Sequence, residues 1–211
     1  LEGIRTILIY PVAGVLLIGI IMLLINPFVS AINTGLNNFL FSLSGVNKII
    51  LGAILAGMMS VDLGGPVNKA AYTFGTGMLA EGHYEIMAAV MIGGMIAPLA
   101  IALVATFFPK KLPKKERQAG LLNYVMGLSF ISEGAIPFAS ADPLRVLPSC
   151  VVGSAVSGAM SMAFNCTLMA PHGGIFVLPL ISNWGWYLVS LVVGSVVSMA
   201  IMTALKKNVW E

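Results

Sequence analysis

The stretch "SEGAIPF", residues 132–138, places a carboxylate, a glycine and a proline inside sequence that is otherwise strongly apolar. The segment before it, "LLNYVMGLSFI" (121–131), is shorter than the roughly 20 apolar residues that cross a bilayer as a helix. Glycine and proline both interrupt regular helices, so the sequence predicts a helix that breaks at Glu133. The stretch "DLGGPVNKAAYTFG" (62–75) repeats this arrangement, and "APHGGIF" (170–176) repeats it with a histidine in place of the carboxylate.

The composition indicates that most of the chain lies in lipid. Of its 211 residues, 58% are hydrophobic and 9% are charged, whereas soluble domains have about 25% charged residues. Four apolar runs have about the length of a membrane-spanning helix. Their predicted bounds are 6–28, 86–108, 142–164 and 184–205. The sequence therefore predicts an all-α, multi-pass membrane protein embedded in the lipid bilayer.

Shorter apolar pieces between these runs predict elements that do not span. Hydrophobic segments cut by Gly and Pro are typical of discontinuous helices at transporter binding sites. Irregular backbone at membrane depth is tolerated only when protein or a wet cavity covers it. We therefore expect re-entrant, hairpin-like elements at 49–80 and 121–141, and a short polar-broken segment at 170–182. Residues 30–45 have apolar positions at helical spacing, which predicts an amphipathic helix at the interface or against a partner.

Basic residues cluster in two short segments beside predicted spans. Five of the eleven Lys and Arg lie in "FFPKKLPKKERQ", and Lys206 and Lys207 follow the last span. Short basic loops favour the cytoplasm, so we expect the loop 110–118 and the C-terminus to be cytoplasmic. Nucleic acid is not expected as a partner, because no aromatic stacking motif accompanies the basic residues.

Charged residues in or beside the interruptions are the first candidates for function. They are Asp62, Lys69, Glu133, Asp142 and Arg145. A charge at the centre of a membrane helix costs about 2.5–3.5 kcal/mol, so each of them must be paired, hydrated or near the interface. Asp142 and Arg145 are three residues apart on one helical turn, and can pair simply to hold the second hairpin. For Asp62 and Lys69, structural and substrate-binding roles both remain open.

Glu133 and His172 are the residues most suited to catalysis. Glu133 stands in apolar sequence without a basic neighbour, and His172 lies in a bend, "PHGG", that packing does not require. Carboxylates accept hydrogen bonds from hydroxyls, and Asn68 can both donate and accept. Either a carboxylate or an imidazole can act as general base for an attacking hydroxyl, so these residues suit a sugar. Glycines that would let a ligand approach the backbone are Gly64, Gly65, Gly134 and Gly173.

The interrupted stretches resemble one known family. "DLGGPVNKAAYTFGTG", "FISEGAIPFASADPLRVLPS" and "APHGGIFVLP" are similar to motifs of the fructose-type membrane component (IIC) of the bacterial phosphoenolpyruvate–sugar phosphotransferase system. The resemblance implies that residues 1–211 are the later part of a IIC domain. It implies a homodimeric permease of the bacterial plasma membrane that imports fructose or a related hexose. A IIB domain, phosphorylated on cysteine through enzyme I, HPr and IIA, would phosphorylate the sugar at the cytoplasmic face.

The resemblance also implies roles for single residues. "FISEGAIPF" is similar to the G-I-x-E signature of this superfamily, with Phe130 where glycine often stands. On that match Glu133 binds the sugar and orients its hydroxyl, and we assign the family's site histidine to His172. Cys150 and Cys166 lie in apolar sequence, whereas phosphoryl transfer needs a water-accessible thiolate of low pKa. The chain by itself is therefore expected to lack the phosphoryl-carrying residue, and we expect no metal or cofactor.

Alternative functions stay open at this stage. The same broken helices would suit a secondary sugar or ion transporter that works without phosphorylation. An intramembrane structural subunit is a third possibility, which the acids in apolar sequence disfavour. Within the phosphotransferase system, the mannosylglycerate- and mannose-type branches share many residues of these motifs, so the sequence does not determine the exact sugar.

Overall fold

The computed structural model describes residues 10–42 and 48–208, and these are almost entirely helical. The α-helices are α1 (Tyr10–Ser42), α2 (Lys48–Val61), α3 (Pro66–Ala80), α4 (Tyr84–Phe107), α5 (Lys114–Leu128), α6 (Ile136–Ala141), α7 (Pro143–Ala163) and α8 (Trp184–Leu205). Single 3₁₀ segments occur at Pro109–Lys111, Ser132–Ala135 and Gly174–Leu180. Two short strands, β1 (Thr167–Leu168) and β2 (Ile181–Ser182), pair antiparallel.

Helix length and composition confirm the predicted all-α membrane fold. Four described helical segments are long and apolar enough to cross a membrane. They are Tyr10–Phe28 within α1, and the whole of α4, α7 and α8. Each falls on one of the four predicted spans, because an uninterrupted apolar run of this length can satisfy its backbone in lipid only as a helix.

The chain divides into two compact units, Leu1–Phe39 and Leu40–Glu211. In the first, the described residues belong to α1, whose apolar side chains are largely exposed. The predicted span 6–28 and the predicted amphipathic helix 30–45 are continuous in α1, which contains Pro27. Residues 1–9 and 43–47 lie outside the described residues, and an interfacial position for 30–45 stays a prediction.

Helix α4 is the centre of the second unit. Its sequence is apolar on every side, and every residue from Ile86 to Ala102 is buried. A helix that is hydrophobic all round is typical of a core position, and α4 packs against α2, α3, α5, α7 and α8. Small residues bring the outer helices together: a Cβ added to Gly194 of α8 would lie 2.6 Å from the Cβ of Ser157 in α7.

The predicted interruptions coincide with the ends of helices. α2 ends at Val61 and α3 begins at Pro66, so the element 49–80 is a helix, a break and a second helix. Element 121–141 likewise breaks between α5 and α6, while 170–182 runs through the 3₁₀ segment and β2. Their depth in a membrane, and hence their re-entrant character, stays a prediction. The second half of the basic segment 110–118 forms the start of α5.

Candidate functional site

A cavity of about 230 Å³ lies where the three interruptions of the chain meet. It is formed by the end of α2, the start of α3, the break after α5 and the bend at His172. Its lining residues are Met59, Asn68, Lys69, Tyr72, Phe130, Ile131, Ser132, Glu133 and His172. Of the predicted site residues, the structure brings four into one cavity, namely Asn68, Lys69, Glu133 and His172.

Asp62 shapes the first break from outside this cavity. Its carboxylate accepts hydrogen bonds from the backbone N–H groups of Val67 (2.7 Å) and Asn68 (2.9 Å). Such N–H groups in the first turn of a helix have no partner within the helix, and a negative charge is favourable there. The Asn68 amide donates to the carbonyl of Met59 at 2.6 Å. The break between α2 and α3 is therefore closed by hydrogen bonds from both sides.

Gly64 lets the break between α2 and α3 pack closely against the break between α5 and α6. Its φ of 105° is one that residues with side chains rarely adopt, and a Cβ there would lie 2.8 Å from a carboxylate oxygen of Glu133. Gly65 leaves similar room for Asp62, because a Cβ would lie 2.5 Å from its carboxylate. Both glycines were predicted to bind substrate. The structure places them against the two carboxylates and not among the cavity-lining residues.

Phe130 and Gly134 flank Glu133, whose side chain is exposed in the 3₁₀ segment. Phe130 has a left-handed backbone with a φ of 62°, and its buried ring packs against Gly94 of α4. Glycine adopts that backbone without strain, which is a physical reason why glycine suits this position of the resembled signature. Gly134 does not line the cavity, but its lack of a side chain lets the turn lie against Asn123 in α5.

His172 reaches the cavity because the third interruption folds onto the end of α5. Gly174 has a φ of 57°, and a Cβ there would overlap the Leu128 carbonyl. Gly173 has a φ of 131° and packs against Val177 instead of lining the cavity. The His172 side chain is exposed, and its ring centroid lies 5.0 Å from that of Phe130.

Tyr72 and Phe130 form aromatic walls that the sequence reasoning did not assign to the site. The Tyr72 ring centroid lies 6.3 Å from that of Phe130 and 6.5 Å from that of His172. Residues four apart on a helix share a face, so the position of Tyr72 four residues after Asn68 was a usable signal. Phe130 could have been assigned to the site because it belongs to the same signature motif as Glu133.

Asp142 and Arg145 lie in a separate ionic group that the structure does not bring to the cavity. Asp142 accepts hydrogen bonds from Lys206 at 3.0 Å and from Arg145 at 3.3 Å. Burial acts to raise the pKa of Asp142, but the hydrogen bonds and charges of Lys206 and Arg145 hold that pKa below its usual value. Lys111 donates to the Lys206 carbonyl at 2.6 Å. This group joins the start of α7 to the end of α8, in line with the structural alternative considered for the pair.

Replacement of Asp142 by Asn should destabilise the protein by about 3 kcal/mol, because it leaves the ammonium of Lys206 uncompensated. Lys206 is only 8% exposed. The measurement is the free energy of unfolding, or the melting temperature, of the purified variant in detergent. Lys207→Gln, at an exposed neighbour, is the matched control. The double variant Asp142→Asn/Lys206→Met should recover stability, and an unchanged single variant would show that solvent already screens this pair.

Metal-binding groups are not apparent in the described part of the chain. Within residues 10–42 and 48–208, no three His, Cys, Asp or Glu side chains lie together as possible ligands. Cys150 and Cys166 are both buried and unpaired with each other. The polar groups that line the cavity are a carboxylate, an imidazole, an ammonium, an amide and the two hydroxyls of Tyr72 and Ser132.

The fold defines a multi-pass, all-α membrane protein, with a cavity lined by polar side chains at the junction of broken helices. The chain belongs to the EIIC family of the phosphotransferase system. The family model described as "Phosphotransferase system, EIIC" matches residues 1–153, which include Glu133 and the first two interruptions. The resemblance inferred from the motifs is thereby confirmed. No solved structure matches the chain.

Curated relatives are similar over essentially the whole chain. The fructose permease IIC component of Bacillus amyloliquefaciens is 48% identical over 212 residues, covering 100% of this chain and 69% of the relative. The fructose-specific EIIABC component of Bacillus subtilis is also 48% identical, and the chain spans 33% of its length. The fructose-specific EIIB'BC component of Escherichia coli is 46% identical over 98% of the chain and 38% of the relative. The chain thus spans about a third of these multi-component relatives.

Proposed function

We propose that this chain is the sugar-binding and translocating part of a phosphotransferase-system permease that imports fructose or a related hexose. The observation that carries the proposal is the cavity in which Glu133, Asn68, Lys69 and His172 meet. The names of the relatives, which are fructose permeases or fructose-specific components, support fructose as the sugar. The EIIB'BC name of the Escherichia coli relative supports a IIB domain as the phosphorylating partner.

The size and chemistry of the cavity suit one sugar ring. Its volume of about 230 Å³ is below the range of about 300–1,000 Å³ usual for drug-sized ligands, which favours a monosaccharide. Glu133 can accept hydrogen bonds from hydroxyls, and Asn68 and Ser132 add neutral polar groups. Tyr72 and Phe130 present apolar ring surface for the C–H groups of the sugar.

Phosphorylation would use the same groups. A sugar hydroxyl attacks the phosphorus of a phosphocysteine on the partner domain, the new O–P bond forms as the S–P bond breaks, and the partner leaves as a thiolate. Glu133 or His172 takes the hydroxyl proton as general base. Phosphorylated IIB, with IIA, HPr and enzyme I upstream, and a homodimeric assembly belong to this proposal. The EIIABC name of the Bacillus subtilis relative supports a IIA component in such a system.

The experiment that tests the proposal uses the complete permease with its IIB partner. Fructose binding should be measured directly and compared with mannose and mannitol, beside phosphorylation that depends on phosphoenolpyruvate. Fructose binding together with its phosphorylation is the expected result. Uptake that follows a proton or sodium gradient and needs no phosphoenolpyruvate would instead make the protein a secondary transporter.

We further propose that the protein lies in the bacterial cell membrane with the segment 110–118 and the C-terminus in the cytoplasm. The hydrogen bond from Lys111 to the Lys206 carbonyl supports a common side for the two basic segments. α8 has 22 residues and so is about 33 Å long. At its other end Trp184 and Trp186 are exposed, as is typical of residues at a membrane–water interface.

Cysteines introduced at Lys114 and Lys207 should therefore react with an impermeant thiol reagent only from the cytoplasmic side. A cysteine at Gly185, at the opposite end of α8, is the control and should react only from outside. The measurement compares labelling of intact cells with that of inverted membrane vesicles. Native Cys150 and Cys166 are buried, so they should give a low background. Labelling of Lys114→Cys or Lys207→Cys in intact cells would reverse the proposed orientation.

A further inference from the structure

Lys69 brings into the cavity an ammonium that forms no ion pair with a described carboxylate. It lies in the first turn of α3, its side chain is exposed, and it lines the cavity. Among residues 10–42 and 48–208, Lys69 takes part in no ion pair. A cation in a mostly apolar membrane protein is costly, and its place in a binding cavity points to a ligand.

Neither of the acids at the first two breaks forms an ion pair with Lys69. Both oxygens of Asp62 accept backbone N–H groups of α3, so this carboxylate already compensates the positive end of the helix. Glu133 lines the same cavity as Lys69, but it packs against Gly64 and forms no ion pair with the ammonium among the described contacts. The cavity therefore presents a carboxylate and an ammonium as separate groups.

These two charges suit different parts of the proposed reaction. A neutral sugar offers hydroxyls that donate to Glu133, and it has no charge for Lys69 to balance. The phosphoryl group in transfer carries negative charge on three oxygens, and catalysis of this step depends largely on cations that stabilise this charge. A lysine ammonium is a common phosphate-binding group.

We propose that Lys69 contacts the phosphoryl group as it passes from the partner's phosphocysteine to the sugar, and so is a catalytic residue. This inference rests on the proposed function and divides its cavity into two parts. Glu133 and Asn68 hold the sugar, and Lys69 faces the transferred group. The bonds and the proton move as described above, and Lys69 stabilises the negative charge of the phosphoryl group without taking part in the proton transfer.

The test compares Lys69→Gln and Lys69→Arg in the complete permease with its phosphorylated IIB partner. Lys69→Gln should keep the Kd for fructose within about twofold and lower kcat for transfer by about 10²–10³-fold, the usual loss for one group that stabilises transition-state charge. Lys69→Arg keeps the charge and should retain more transfer than Lys69→Gln. Fructose 1-phosphate and fructose 6-phosphate, tested as competitors, should lose affinity only in the glutamine variant. Lys207→Gln, outside the cavity, is the control.

The outcomes separate this inference from the proposed function. If Lys69→Gln weakens fructose binding as much as transfer while its melting temperature is unchanged, Lys69 binds sugar hydroxyls and the inference is wrong. Unchanged transfer in Lys69→Gln also overturns it. If Lys69→Gln does not fold, the Lys69→Arg variant provides the test. Should Lys69→Arg bind fructose normally but transfer the phosphoryl group no faster than background, a role for the positive charge would be contradicted. Failure of the proposed function would appear differently, as a wild-type protein that does not bind fructose.

Discussion

Replacement of Glu133 by Gln is expected to weaken fructose binding by about 10–100-fold and to lower phosphoryl transfer by at least as much. Glutamine keeps the size of the side chain and its fit against Gly64. It removes the charge that strengthens hydrogen bonds from sugar hydroxyls, and a hydrogen bond to a charged group contributes about 1.5–3 kcal/mol. It also removes a possible general base, which contributes about 10²–10⁴-fold to a rate.

The measurement is the Kd for fructose beside kcat for IIB-dependent phosphorylation in the same purified permease. Glu81→Gln is the matched control, because Glu81 is exposed just beyond α3 and does not line the cavity. Wild-type binding and transfer in Glu133→Gln would remove this residue from the site. Loss of transfer with unchanged binding would leave it as a base that does not hold the sugar.

The spans and the breaks could be predicted from the sequence because both follow from local rules. An apolar run such as residues 86–108 has one stable arrangement in lipid. The Gly and Pro residues after Asp62 and Glu133 stand together with a charge, and such a combination favours a break, whereas the isolated Pro27, Pro98 and Pro148 lie inside helices. The predicted span 6–28 and the predicted amphipathic helix 30–45 are continuous in the one helix α1. Polar residues change which face of α1 is apolar, but they do not stop the helix, so the structure continues it to Ser42.

The cavity itself could be predicted only in part, because it depends on contacts between distant residues. Nothing local in the sequence states that Gly64 lies against Glu133, or that Gly174 lies on the end of α5 and brings His172 to the same cavity. Lys206 was predicted as a topological charge, yet it is buried against Asp142, a partner 64 residues away in the sequence. The sequence thus predicts which residues are charged and where helices break, whereas the partner of each charge is known only from the three-dimensional structure.

Replacement of His172 by Gln is expected to lower phosphoryl transfer by about 10²–10⁴-fold, the usual contribution of acid–base catalysis. Fructose binding should weaken less, because a catalytic contact counts mainly in the transition state. The position of His172 beside Phe130 at the edge of the cavity supports contact with the sugar as well. The measurement is the Kd for fructose and kcat for transfer in the same variant, with the melting temperature as a check of folding.

His83 provides the matched control for His172, since the chain has two histidines and His83 lies outside the cavity, beside Glu85. His83→Gln should leave binding and transfer unchanged. If His172→Gln also leaves both near wild type, the imidazole only packs against Phe130. Of the two residues proposed as general base, Glu133 would then remain. A pH–rate profile of His172→Gln would then keep the same limbs as the wild type, whereas loss of one limb would identify the imidazole as the group that takes the hydroxyl proton.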